Sequence, residues 1–75
     1  MGAKIVVLNS RNEAVVGATV YVWWSSGFST VTTDKQGVAE LGTSGTVKEV
    51  RVWDRPVSTV ERVLRDGETL AVTYD

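Results

Sequence analysis

The chain has 75 residues with no Cys and no His, eight basic and nine acidic side chains and a net charge of −1. Those absences remove disulfide staples, thiolate metal sites, the commonest zinc ligand and the commonest general base. The balanced, scattered charge leaves no electrostatic footprint for nucleic acid or anionic lipid, and every apolar run is far too short to span a bilayer.

One domain near the lower size limit for a self-sufficient core is expected, spanning residues 1–75. Fifteen Val, nine Thr and one Ile make up a third of the chain. Branching at Cβ favours the extended backbone, so the class is all-β. The first apolar run, residues 3–9, reads as a strand rather than a signal peptide and ends at Ser10-Arg11-Asn12-Glu13. Val15 and Val16 continue as a short extended piece before Gly17. Residues 18–24 form the next strand, closed by Ser25-Ser26-Gly27, and residues 28–33 return to Asp34-Lys35-Gln36-Gly37.

Residues 38–41 and 47–53 follow, separated by Gly42-Thr43-Ser44-Gly45 and ended by Asp54-Arg55-Pro56. In residues 57–65, Val57, Val60 and Leu64 recur near helical spacing, but the β-branched content and the turn that follows favour a strand. Arg65-Asp66-Gly67-Glu68 is the strongest hairpin signal, with Asp-Gly suited to a type I′ turn before the alternating Leu70, Val72 and Tyr74. Turn signals about every 8–12 residues give about seven strands, the spacing of a small antiparallel, immunoglobulin-like sandwich.

Three segments carry a resemblance: residues 4–8 with the polar turn Arg11-Asn12-Glu13, then Val16-Gly17-Ala18-Thr19-Val20, then Thr33-Asp34-Lys35-Gln36-Gly37-Val38-Ala39-Glu40-Leu41. With a closing stretch at residues 63–73, the pattern resembles the carboxypeptidase regulatory-like and collagen-adhesin B-type families. It implies a prealbumin-like sandwich and an extracellular or surface-associated setting. In the collagen-adhesin group a first-strand lysine can join an Asn or Asp through an amide promoted by a buried acid. Lys4, Asp75 and either Glu40 or Glu49 are the nearest counterparts. The acid's usual Gly-x-Tyr context is missing and a terminal Asp75 is solvated, so Lys4 reads as a surface lysine on an edge strand. Asp34 reads as the acceptor that closes its own loop with Gly37; a calcium role lacks enough oxygen ligands nearby.

Chemistry is sparse. Six Ser residues have no His to activate them and no Ser-x-x-Lys spacing, and related transthyretin-like hydrolases rely on His. No enzyme, cofactor or metal is expected. The informative feature is the phase of the aromatics. If Ala18, Val20, Val22 and Trp24 face the core, Tyr21 and Trp23 face outward. If Val50 and Val52 are core, with Lys48 in the same phase, then Trp53 points outward with Glu49 and Arg51. Tyr21, Trp23, Phe28 and Trp53 are therefore expected to form one aromatic platform, rimmed by Arg51 and Arg55. The expected role is a non-catalytic structural or interaction module on a cell or virion surface, binding a protein partner or a second copy of itself. A carbohydrate-binding module using the same face to hold a polysaccharide is the alternative, and an engineered scaffold without a native ligand is a third reading.

Overall fold

The computed structural model describes residues 2–59 and 61–75, and contains strands and no helix among them. The strands are β1 (Lys4–Leu8), β2 (Thr19–Trp24), β3 (Gly27–Thr32), β4 (Val38–Glu40), β5 (Gly45–Val52), β6 (Arg55–Ser58), β7 (Arg62–Leu64) and β8 (Thr69–Thr73). A three-stranded sheet has the order β4-β1-β8; a five-stranded sheet has the order β3-β2-β5-β6, with β7 also paired to β5. The two sheets enclose one core, so the chain is a small β-sandwich. Ile5, Val7, Leu70 and Val72 from one sheet meet Val20, Val22, Trp24, Val50, Val52 and Leu64 from the other. With no covalent staple, this aliphatic layer supplies the stability, at about 1.5–3 kcal/mol for each fully buried Val or Leu side chain.

The strands number eight where about seven are expected, because the edge beside β5 is broken in two. Pro56 lacks the N–H an interior strand must donate and sits on the outer edge, where none is needed. A register shift between Val50 and Arg51 leaves an extra residue on β6, so the edge strand stops short. β6 lines one half of β5 and β7 lines the other. Val60, part of the expected single strand, lies outside the described residues.

Two further expectations change. The Arg65–Glu68 turn does form, with the Glu68 amide donating to the Arg65 carbonyl at 3.0 Å. It is not a hairpin: β7 belongs to the large sheet and β8 to the small one. Within the turn only Gly67 has a positive φ, 85°, which fits a type II turn rather than type I′. Asp-Gly chemistry specifies a reversal; whether the flanking strands pair depends on which sheet can bury Leu64 and Leu70. Nor is the sandwich wholly antiparallel. β8 lies parallel to β1, with Lys4 opposite Thr69 and Leu8 opposite Thr73.

That register also settles the geometry around Lys4. Lys4 is exposed on the central strand of its sheet, not on an edge, and faces Thr69 and Glu40 across the two ladders. Asp75 lies past the opposite end of β8, roughly 20 Å away at about 3.3 Å per residue. Glu40 is exposed and Glu49 is on the outer face of the large sheet, so no buried acid accompanies the lysine.

The crossing from β3 to β4 carries the chain from one sheet to the other. The Thr33 hydroxyl, buried at its start, accepts from the Ala18 amide at 2.8 Å and donates to the Val15 carbonyl at 2.7 Å. Asp34 Oδ1 then accepts from the Gln36 and Val38 amides at 2.8 and 3.0 Å. Gly37 closes the loop at φ 77°, and a Cβ there would lie 2.7 Å from the Val7 carbonyl oxygen. Only glycine permits that approach.

Thr33→Val keeps the shape but strands the buried Ala18 amide and leaves the half-buried Val15 carbonyl to water, so urea denaturation should show a loss of about 1–3 kcal/mol, with Thr33→Ser losing less. The Val38 and then the Gln36 amide hold the Asp34 carboxyl below the usual carboxylate range. Its stabilisation is therefore present above the ordinary unfolded value and is lost as pH falls through the lower folded value. In thermal melts from neutral to acid pH, Asp34→Ala should melt below the wild type at neutral pH, and the gap should narrow as the solution is acidified.

Candidate functional site

β2 alternates as its sequence requires. Val20, Val22 and Trp24 are buried, and Tyr21 and Trp23 turn to the outer face of the large sheet. Trp24 is accommodated in the core because its Nε1 donates to Ser29 Oγ at 2.9 Å. The register between β2 and β3 sets Phe28 directly opposite Trp23. Their rings meet edge-on with centroids 4.9 Å apart, and Tyr21 lies 6.2 Å from Phe28 and 6.3 Å from Trp23. Trp23 is 37% exposed and Phe28 53%, so the cluster presents itself to solvent.

β5 departs from simple alternation. Trp23 pairs with Glu49 but Trp24 pairs with Val47, so β5 carries one extra residue at this point. The bulge turns Val47 inward along with Val50 and Val52 and leaves Lys48 exposed, correcting the expected phase in which Lys48 shared the core face. Arg51 stays outward, opposite Tyr21, with its guanidinium 5.7 Å from the centre of the Trp23 ring. Its Nε donates to Glu49, which fixes the side chain beside the aromatics.

Trp53 and Arg55 do not join this platform. Trp53 occupies the turn between β5 and β6 with φ 54°, and its amide donates to the Thr19 carbonyl at 2.8 Å. Its ring meets Tyr74 edge-on, with centroids 5.1 Å apart and planes at 72°. Arg55 lies 5.8 Å from the centre of the Tyr74 ring and donates to the Asp75 carbonyl. The expected single platform is thus two aromatic clusters, Tyr21–Trp23–Phe28 with Arg51, and Trp53–Tyr74 with Arg55.

Tyr74 is the residue sequence reasoning missed, because its alternation with Leu70 and Val72 reads as core. It follows the end of β8 and is only half-buried. Beside the second cluster is a groove of about 420 Å³, walled by Trp53, Tyr74, Val15 and the loop carrying Asn9, Arg11 and Glu13. That loop is well tied: Asn9 Oδ1 accepts from the Arg11 and Glu13 amides, and its Nδ2 donates to Glu13 at 3.1 Å. Among the described residues no group of three or more carboxylates is placed to hold a metal ion.

No family model matches the chain, and no curated protein does. Among solved structures it is similar to a Bacillus anthracis TIE protein, with a TM-score of 0.66 and 26% identity over 96% of this chain. The chain spans 15% of the length of that protein.

A positive φ on a bulky residue costs about 1–2 kcal/mol, a strain glycine does not feel. Trp53→Ala and Trp53→Gly both delete the ring, so their difference reports that strain less the extra unfolded-state entropy of glycine. Chemical denaturation should find the glycine variant more stable than the alanine variant by about 1 kcal/mol.

Proposed function

We propose that this chain is a non-catalytic β-sandwich interaction module that docks on a second copy of itself through Tyr21, Trp23 and Phe28. The observation that carries this reading is the joining of three aromatic side chains into one exposed cluster on the outer face of the large sheet. Amphipathic aromatics concentrate binding energy when a contact removes them from water. Arg51 and Glu49 stand together at the rim and carry opposite charges. A two-fold contact can set Arg51 of one copy against Glu49 of the other, so the patch is self-complementary in charge.

The reading extends to type and setting. We take the sandwich to be prealbumin-like, of the carboxypeptidase regulatory-like or collagen-adhesin B-type kind, in a surface-associated protein. Two features support that assignment. Gly17, with a positive φ, leads into β2, and the Thr33–Gly37 loop leads into β4, where the motifs of the resemblance would put them. The TIE protein likeness supports the sandwich and names no ligand.

Sedimentation equilibrium over a wide concentration range tests the role. The wild-type mass should rise with concentration toward that of a dimer, and Trp23→Ala and Phe28→Ala should stay monomeric. A wild type that stays monomeric at the highest soluble concentration ends the self-association reading.

A further inference from the structure

Trp53 stands at the first central position of a two-residue turn, where glycine would sit without strain. Besides Asn12, it is the one non-glycine residue with a positive φ among the described residues. Its ring does not seal the core: it is 42% exposed and touches Tyr74 edge-on. A strained, exposed tryptophan at the mouth of a groove is the pattern expected where a ligand, not the fold, uses the side chain.

The groove decides the ligand class. Trp53 supplies a ring surface with Tyr74 packed edge-on against it, and the lining also includes Asn9, Arg11 and Glu13. The Arg11 guanidinium makes no ion pair among the described residues. Arg11 is outnumbered by the carboxylates of Glu13 and Asp75, which also line the groove, so no net positive field invites a phosphate or sulfate. Arg55 is occupied by the Tyr74 ring and the Asp75 carbonyl. What fits is a ring with an apolar C–H face to stack on indole and hydroxyl groups at its edge to meet donors and acceptors of both kinds. The groove, about 420 Å³, is shallow and open to solvent, which suits an extended chain lying along it with one ring on the indole.

The geometry points to a binding site for a neutral oligosaccharide in the Trp53–Tyr74 groove, with Trp53 as the stacking surface and Asn9, Arg11 and Glu13 as its polar wall. This site is separate from the Tyr21–Trp23–Phe28 face and does not depend on it. The tied loop at Asn9 keeps the polar wall in place before ligand arrives, which limits the ordering cost of binding.

The test screens the protein on an array of neutral and acidic oligosaccharides, then titrates the best neutral one by calorimetry. Wild type should bind it saturably. Trp53→Gly and Trp53→Ala should each weaken binding by about tenfold or more. Trp23→Ala should bind as wild type does. Trp53→Gly, freed of the strained turn, should retain a cooperative unfolding transition, which separates lost binding from lost folding. No saturable binding to any neutral glycan would overturn the proposal, as would binding confined to acidic glycans. Binding that survives Trp53→Gly but is lost in Trp23→Ala would also overturn it, by moving the site to the sheet face.

Discussion

The Thr33 hydroxyl is the polar pin on which the rest of the sandwich is registered. It is the one buried polar or charged side chain among the described residues, and it is fully satisfied, accepting from Ala18 and donating to Val15. The surrounding core is almost entirely aliphatic, and aliphatic burial is strong but has no direction. A layer of valines tolerates sliding; a two-ended hydrogen bond in a dry site does not. Thr33 ties the start of β2 to the end of β3 and to the strand-like piece beside β1. The crossing loop then brings Gly37 hard against the Val7 carbonyl. Both sheets are fixed to each other at that point.

The bulge in β5 does for the site what Thr33 does for the core. One extra residue near Lys48 lets Val47, Val50 and Val52 all face inward. It also keeps Glu49 and Arg51 on the outer face, beside Trp23 and Tyr21. The same local irregularity therefore completes the hydrophobic layer and positions the charged rim of the aromatic patch.

The two aromatic clusters differ in physical origin. Tyr21, Trp23 and Phe28 are carried on regular strands, and their meeting follows from alternation and register with no strain. Trp53 is held by a turn that would relax if the residue were glycine, and its partner Tyr74 arrives from the other sheet. The first cluster has the character of a flat contact surface, the second that of a shallow, open groove beside a tied polar loop.

Much of this was legible in residue order. The all-β class, the inward phase of Val20, Val22 and Trp24, the outward phase of Tyr21 and Trp23 and the Asp34–Gly37 loop all follow from period-two alternation and the stereochemistry of glycine and aspartate. Those are local properties, set within a few residues. The turn expected at Asp54-Arg55-Pro56 forms at Trp53-Asp54 instead. Which sheet each strand joined was not legible. Val63 and Leu64 precede, and Leu70 and Val72 follow, a turn that reads equally well as a hairpin or as a corner between layers. Only the competition for buried area sent β7 to β5 and β8 to β1 in parallel. Trp53 and Tyr74 lie 21 positions apart, and nothing in either neighbourhood encodes the other. Sequence alone determined the material and the phase of each strand, because those depend on near neighbours. The tertiary structure decided the pairing, the broken edge, the bulge and the groove, because those depend on packing residues that meet only when the chain is folded.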